Sequence, residues 1–280
     1  MICLFCGSQQ VESIQNVKSP HFDFEYALYE CRGCSSAFFD LHQHAVDLEK
    51  LYAEVAGSKA EIYEGTFKQS RYWLRETQVI KEYASSPPRS VLDVGCRTGD
   101  FLMHWPSDIL RVGVELSTRS AQVAQSRGLV IHQNYLEKVE FEKSFDVVTC
   151  YAVIEHLEVP SAFLAKLSQL VKPGGVLAIM IPTRECLKRK LIDAVGKRWH
   201  MYCPPQHLNF ISRKRLDQIL GESGFELQHR FFKSGGMFNP FGMIPVVSKM
   251  GAKLMEVGDW YSPTNRLPIF DHMYSYYRFR

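Results

Sequence analysis

Hydrophobic positions between residues 91 and 182 form short apolar runs, and the stretches between them carry hydrophobic residues at three- and four-residue spacing. The runs read as buried strands, and the spaced stretches read as amphipathic helices. Strands that alternate with helices in this way predict an α/β fold, with a parallel sheet covered by helices on both faces. The predicted strands are Val91–Val94, Arg111–Leu116, Leu129–Gln133, Phe145–Val153 and Val176–Pro182, and the predicted helices are Ser117–Arg127 and Pro160–Leu170.

The pattern changes on both sides of this region. Residues 1–40 alternate like β-strands, and residues 41–88 carry two helical patterns, which we interpret as a linker or lid before a domain spanning 89–280. Residues 183–212 read as irregular, and a helix over Arg213–Ser223 and two further strands follow. Residues 234–268 are rich in Gly, Met and Pro, which predicts an inserted helical cap.

Composition and charge narrow the function classes. The 280 residues are 46% hydrophobic, enough for a sizeable core, and no apolar run reaches the ~18 residues needed to cross a bilayer. A net charge of +3 is too small to favour nucleic acid as a partner. We find no secretory leader after Met1, so we expect a cytoplasmic protein. The sequence makes no prediction of the oligomeric state.

Four of the eight cysteines form two pairs near the start of the chain. Cys3 and Cys6 precede Cys31 and Cys34 in a C-x2-C…C-x2-C pattern with 24 residues between the pairs. Two such knuckles aim four thiolates at one point, the ligand set of closed structural zinc sites. The spacing therefore predicts a small zinc ribbon with a structural Zn²⁺, and free thiols or iron are the alternatives.

A glycine-bearing turn follows the first strand of the alternating region. The stretch VLDVGCRTGDF places Asp93 near the end of the strand, with Gly95 and Gly99 flanking the turn. Glu115 ends the next strand, where an acid can hold the two hydroxyls of a ribose. This arrangement predicts a nucleotide-type cofactor site, but NAD and S-adenosylmethionine share the layout, so spacing alone does not choose between them.

Later segments carry a more specific resemblance. From about Val91 to Phe231, the chain resembles the class I S-adenosylmethionine-dependent methyltransferases. The segments that carry this resemblance are VLDVGCRTG, VGVELS, SFDVVTCYAVIEHL and LSQLVKPGGVLAIMIP. The stretch PPQHLNFISRKRLDQILGESGF resembles a segment of the small-molecule branch of this family. A subset of that branch, often linked to sugar, glycan or other secondary biosynthesis, also carries a double cysteine knuckle. The resemblance implies a Rossmann-like, seven-stranded methyltransferase sheet.

The resemblance also implies a cofactor site built from the loops after four strands. Asp93 and the two glycines would line the methionine end, Glu115 would bind the ribose, and Leu116 would pack on the adenine. The family often has a Gly-Asp pair after the third strand, where this chain has Asn134 and Tyr135, so backbone groups are expected to make the adenine contact. The implied cofactor residues are Asp93, Gly95, Cys96, Gly99, Glu115, Leu116, Tyr135, Leu136 and Cys150.

Arg97 stands where a third glycine would complete the loop. A side chain is accepted at this position if its φ is negative and the chain points away from the sulfonium. We therefore expect a negative φ at Arg97, with the side chain directed outward or toward the carboxylate of the cofactor.

Methyl transfer is an in-line displacement in which the cofactor carries the chemistry, and an oxygen or nitrogen acceptor can also need a base. The catalytic candidates are His207, His156 and Tyr151, with Tyr151 and Cys150 expected to face the sulfonium and the acceptor. His156 could instead cap or pack a helix start, and His207 could orient its own loop.

Ubiquinone-type relatives carry E-x-x-E-H at the position of Glu155 and His156, with a proposed metal role. Because Ala152 replaces the first Glu, no second metal is predicted.

A basic run over Arg184–Trp199, joined by Arg213, Lys214 and Arg215, leaves two interpretations open. It is a solvated helical face, or it contacts an acidic or phosphorylated substrate.

Three functions remain: a small-molecule methyltransferase, an RNA methyltransferase whose ribbon docks RNA, or a non-catalytic binding module. The ribbon carries two cations against five acids, which opposes RNA.

Overall fold

A computed structural model describes residues 1–41, 44, 46–47, 70–233 and 266–280. The first helical pattern of the 41–88 region and all but the end of the cap predicted over 234–268 lie outside the described residues. Among the described helices, none is long and apolar enough to cross a membrane.

A seven-stranded sheet forms the centre of the fold. Its strands are β4 Ser90–Val94, β5 Leu110–Val114, β6 Val130–His132, β7 Phe145–Tyr151, β8 Val171–Pro182, β10 Phe225–Lys233 and β11 His272–Phe279. Their order across the sheet is β10-β11-β8-β7-β4-β5-β6. Strands β6, β5, β4, β7 and β8 run parallel, and β11 pairs antiparallel with both β8 and β10. This confirms the predicted α/β sheet.

Hydrophobic side chains of the sheet pack on both of its faces. On β4, the neighbours Val91 and Leu92 belong to different buried clusters, because successive side chains of a strand point to opposite faces. Each cluster is completed by helices. The helices are α1 Ser70–Tyr83, α2 Thr118–Ser126, α3 Pro160–Gln169, α4 Leu187–Ala194 and α5 Arg213–Glu222.

The cysteine-bearing module forms a second, four-stranded antiparallel sheet. Its own strands are β1 Val11–Lys18, β2 Glu25–Cys31 and β3 Ala37–Phe39. The fourth strand, β9 (Asn209–Phe210), comes from the large domain and pairs with β3. The amino-terminal module is therefore joined by backbone hydrogen bonds to the segment that carries His207.

Two sequence interpretations differ from the structure. The strand predicted over Val176–Pro182 begins earlier, because β8 starts at Val171 and continues through a register irregularity and a positive φ at Gly174. The stretch 183–212, predicted to be irregular, contains α4 and β9. The start of α4 was missed because its capping residue is Cys186, whose sulfur accepts from the Arg189 N–H in place of the usual oxygen.

Candidate active site

At both ends of the turn after β4, the structure has space only for glycine. Gly95 and Gly99 have φ values of +78° and +79°, in the left-handed region that favours glycine. A Cβ at Gly95 would lie 2.5 Å from Cγ2 of Val153, and one at Gly99 would lie 2.2 Å from Cδ1 of Leu129. The turn therefore brings its backbone close to the neighbouring loops, as a cradle for a cofactor requires.

Arg97 also lies in the left-handed region, with a φ of +52°. The expectation of a negative φ was wrong, because the turn requires the left-handed conformation at this position whichever residue occupies it. The Arg97 side chain is exposed, and its backbone N–H donates a hydrogen bond to Oε2 of Glu115 at 2.9 Å. The arginine is tolerated at a conformational cost of about 1–2 kcal/mol.

Glu115 lies directly after β5 and joins two loops. Its Oε2 accepts the Arg97 N–H, and its Oε1 accepts the N–H of Ser117 at 2.7 Å, just before α2 begins. Because β4 and β5 are parallel neighbours, their carboxyl ends meet at one edge of the sheet. A carboxylate fixed at this edge can accept from the two hydroxyls of a ribose.

Asp93 is buried inside the same edge, 5% exposed. Its Oδ1 accepts a hydrogen bond from the Thr149 hydroxyl at 2.7 Å, across the β4–β7 pair. Burial raises the pKa of Asp93 to about 7, the Thr149 bond opposes this shift, and the nearby Glu115 adds to it. A group that brings a positive charge to this edge would stabilise the ionised form of Asp93.

The remaining cofactor candidates divide by exposure. Leu116, beside Glu115, is 48% exposed, and Tyr135, after β6, is 36% exposed. Each therefore offers an apolar surface to a ligand at this edge. Leu136, Cys96 and Cys150 are buried, and burial raises the pKa of both thiols. Cys150 packs in the core cluster on the face of the sheet opposite to its neighbour Tyr151. The two adjacent residues thus present their side chains to different surroundings.

Tyr151, at the end of β7, donates its hydroxyl to Oε1 of Glu76 at 2.6 Å. Tyr276 donates to the same oxygen at 2.7 Å. Glu76 was missed by the sequence interpretation, although a signal existed: it occupies a core-facing position of α1, between Trp73 and Ile80 at helical spacing. A carboxylate on an apolar helix face is unusual, and here it is fully buried.

His156 and His207 lie together and form a second group. Nδ1 of His156 is 2.6 Å from the carbonyl oxygen of Gln206, Nδ1 of His207 is 3.0 Å from that of Met201, and the ring centroids are 5.0 Å apart. The neighbouring Glu155 is buried, which raises its pKa to about 8. One ligand atom from each of Glu155, His156 and His207 lies within 4.8 Å of the others, so this group could hold a metal ion.

The four amino-terminal cysteines converge as their spacing predicts. Sγ of Cys3 is 3.6 Å from Sγ of Cys34, and Sγ of Cys6 is 3.6 Å from Sγ of Cys31. Zn–S bonds of about 2.3 Å place tetrahedral sulfurs about 3.8 Å apart, so this set fits Zn²⁺. The two knuckles also repeat each other, because Gly7 and Ser35 each have positive φ and donate to the carbonyl of the first cysteine of their pair.

Comparison with known proteins decides the family. The family described as "Methyltransferase domain" matches residues 67–230. The chain belongs to this methyltransferase family. A probable S-adenosylmethionine-dependent methyltransferase of Mycolicibacterium smegmatis is 25% identical over 195 residues, which cover 67% of this chain and 71% of the relative. A ubiquinone biosynthesis O-methyltransferase of Leptothrix cholodnii is 30% identical over 166 residues, 54% of this chain and 68% of the relative.

Solved structures agree with this methyltransferase fold. The magnesium protoporphyrin IX methyltransferase of Synechocystis, with bound SAH, superposes with a TM-score of 0.53 at 15% identity and covers 84% of this chain and all of its own. The plantazolicin methyltransferase BpumL, also with SAH, gives a TM-score of 0.55 at 15% identity, covering 83% and 94%. At these identities the likeness concerns the fold, which is that of S-adenosylmethionine-dependent methyltransferases.

The basic run of the methyltransferase is largely engaged within the protein. Arg184 contacts Glu30, Arg213 contacts Glu185, and Lys188 forms a buried ion pair with Asp271 at 2.5 Å. One of these contacts, between Arg184 and Glu30, connects the large domain to the ribbon. These three cations are therefore paired within the protein.

Proposed function

We propose that this methyltransferase transfers the methyl group of S-adenosylmethionine to an oxygen or nitrogen of a small molecule, of the sugar, glycan-precursor or secondary-metabolite kind. The observation that carries the proposal is the preassembled edge at which the glycine turn, Arg97 and Glu115 are joined by hydrogen bonds. The likeness to ubiquinone biosynthesis O-methyltransferases, about 30% identical, supports a small-molecule acceptor.

S-adenosylmethionine supplies an electrophilic methyl group on a sulfonium. The residues of the chain bind it and align the acceptor with it, which is the protein's main contribution to such a displacement. Glu115 would accept the ribose hydroxyls, and Leu116 and Tyr135 would cover the adenine. Asp93 would face the positively charged methionine end, together with Gly95, Cys96 and Gly99. Leu136 and Cys150 would support this site from the core.

Three residues are proposed to act on the acceptor. Tyr151 lies half-buried at the end of β7, beside Phe101 of the glycine loop, with ring centroids 5.7 Å apart. His207 and His156 form the second group, in which backbone carbonyls orient both rings. If the Nδ1 atoms are protonated, each Nε2 can accept a proton or bind the acceptor.

Zinc is proposed as a structural ion of the ribbon. All four ligands are cysteines, which leaves no open coordination position for substrate. The knuckles also support the large domain: the Ser212 hydroxyl donates to the Cys34 carbonyl, and the Arg215 guanidinium donates to the Phe5 carbonyl at 2.7 Å. All eight cysteines are free of disulfides, which is consistent with the proposed reducing, cytoplasmic location.

The ribbon favours a small-molecule acceptor over RNA. Its cations Lys18 and Arg32 form ion pairs with Asp23 and Glu12. Paired cations contribute little to phosphate binding, which depends on a basic surface.

Tritium transfer from methyl-labelled S-adenosylmethionine tests the acceptor class. The purified protein is incubated separately with a metabolite ultrafiltrate and with total RNA, and Glu115→Ala serves as the cofactor-site control. We expect label in the small-molecule fraction with the wild type only. Label in RNA would replace the proposal with the RNA methyltransferase interpretation.

A further inference from the structure

Glu76 is a buried acidic residue to which the proposed cofactor site gives no role. Its side chain is fully buried, and Oε1 accepts the hydroxyls of Tyr151 and Tyr276, at 2.6 Å and 2.7 Å. Its other oxygen, Oε2, is buried without a hydrogen-bond partner among the described residues. Burying a carboxylate that is only partly satisfied is costly, and such groups are retained where they serve a function.

The surroundings of Glu76 place it behind the reacting edge of the sheet. Tyr151 follows Cys150, which pairs with Val94 just before the glycine turn. Trp73, from the same helix as Glu76, stacks on Tyr151 with ring centroids 5.9 Å apart and meets Phe101 of the glycine loop edge-on at 5.3 Å. An acceptor at Tyr151 would therefore lie among aromatic rings, with Glu76 one hydrogen bond away.

We propose that Glu76 is the proton-holding positioning residue of the acceptor site, acting through Tyr151 on an acceptor with a phenolic hydroxyl. This inference rests on the proposed methyltransferase function. As the acceptor oxygen attacks the methyl carbon, the C–O bond forms and the C–S bond breaks, leaving neutral S-adenosylhomocysteine. The acceptor proton passes to the Tyr151 oxygen while the Tyr151 proton moves to Oε1 of Glu76. The proton later leaves Glu76 to solvent.

The strength of this base selects the acceptor class. Burial raises the pKa of Glu76 to about 7, against the two tyrosine hydroxyls and Lys233, which lower it. A carboxylate of this basicity can take a proton from a phenol, with a pKa near 10, far more readily than from an aliphatic alcohol. A neutral amine needs no base before attack. Aromatic walls also suit a planar acceptor ring.

Ionisation of Glu76 should appear in the pH dependence of the rate. The base must be ionised to act, so turnover should rise with pH through about 7. In the described part of the chain, the titratable or charged groups that face Glu76 are Tyr151 of β7, Tyr276 of β11, Lys233 of β10 and Tyr72 of α1 itself. Both tyrosine hydroxyls that donate to Glu76 stabilise its carboxylate, so removal of the Tyr276 hydroxyl should move the rise to higher pH.

The test uses tritiated S-adenosylmethionine with a panel of catechol and simple phenols, methyl glucoside, benzylamine and benzoate, from pH 5.5 to 9. The variants are Glu76→Gln, Tyr276→Phe and the exposed control Glu82→Gln on the same helix. We expect transfer to phenols, a loss of about 100-fold or more in kcat for Glu76→Gln with KM for the cofactor little changed, and loss of the pH rise. Tyr276→Phe should keep the rise at higher pH, and Glu82→Gln should match the wild type.

Several results would overturn the proposal. One is a Glu76→Gln variant that keeps the wild-type pH rise, whether its rate is unchanged or lowered equally at every pH. Another is transfer to methyl glucoside, benzylamine or benzoate while no phenol is methylated. Calorimetry with S-adenosylhomocysteine on the same preparations distinguishes failure of this inference from failure of the proposed function. If the wild type binds S-adenosylhomocysteine but methylates no phenol, only the role of Glu76 is refuted. If the wild type does not bind it, the proposed function is refuted as well.

Discussion

The backbone N–H of Arg97 donates a hydrogen bond to the Glu115 carboxylate at 2.9 Å, which joins the glycine turn to the acid after the next strand. The two residues are 18 positions apart in the sequence, and they lie in the loops that follow the parallel neighbouring strands β4 and β5. An acid that is already oriented, as Glu115 is, would lose less conformational freedom if it binds the ribose as proposed. This contact explains how the turn keeps its shape without the third glycine.

Glu115→Ala should weaken S-adenosylhomocysteine binding by about 100-fold, because hydrogen bonds to a charged group contribute about 1.5–3 kcal/mol each. Isothermal titration calorimetry measures the change. Glu142→Ala, at an exposed position outside the site, is the matched control and should bind like the wild type. Equal affinity of Glu115→Ala and wild type would remove Glu115 from the cofactor site.

Substitutions at Arg97 separate backbone conformation from side-chain contact. Arg97→Gly should be about 1 kcal/mol more stable than Arg97→Ala, because only glycine adopts a φ of +52° without the left-handed penalty. Both variants keep the N–H that Glu115 accepts, so their affinity for S-adenosylhomocysteine should stay within about threefold of wild type. Chemical denaturation and calorimetry measure the two quantities. A large loss of affinity in both variants would show that the arginine side chain binds the cofactor.

Asp93 should make the cofactor-free protein less stable as the pH rises. Its folded-state pKa is about 7, above the ordinary value of 3.8, so the folded state binds the proton more tightly and stability falls between about pH 4 and 7. Asp93→Asn removes this contribution and should raise the free energy of unfolding at pH 8 by on the order of 3 kcal/mol, with little difference at pH 3.5. Denaturation at both pH values tests this, and a variant less stable than wild type at pH 8 would contradict it.

Loss of a proposed zinc ligand should affect the large domain as well as the ribbon. Cys31→Ser should abolish stoichiometric zinc, lower the melting temperature by about 5–10 °C and increase amide exchange around Asn209–Phe210, because β9 pairs with β3. Cys203→Ser, outside the ribbon, is the control and should retain the metal. Metal analysis and hydrogen exchange provide the readouts. Unchanged exchange in β9 after zinc loss would show that the ribbon does not support this segment.

Local signals predicted most of the fold. The apolar runs predicted β4, β5, β6 and β7 to within a few residues. The reason is clearest for β4 and β7, since largely buried parallel strands read as continuous hydrophobic stretches. The cysteine spacing likewise predicted the convergence of four thiols. Strand β9 could not be predicted in this way, since a two-residue strand has no periodicity and forms only because the ribbon supplies its partner.

The candidate site was predicted less completely than the fold. The glycine and acid positions follow from motif spacing, but the left-handed φ of Arg97 depends on the turn as a whole. The pairing of His156 with His207 joins residues 51 positions apart, and that of Tyr151 with Glu76 joins residues 75 apart. Such contacts arise from the topology of the sheet and the packing of α1, which no local pattern encodes. The carboxylate on the apolar face of α1 was the one local signal for Glu76, and the sequence interpretation missed it.

The most direct measurement is calorimetric titration of the wild-type protein with S-adenosylmethionine and with S-adenosylhomocysteine. The preassembled edge formed by the glycine turn, Asp93 and Glu115 predicts saturable binding of both, one molecule per chain, with Kd below about 100 µM. Absence of binding at millimolar concentrations of either compound would contradict the assignment of this edge as the cofactor site.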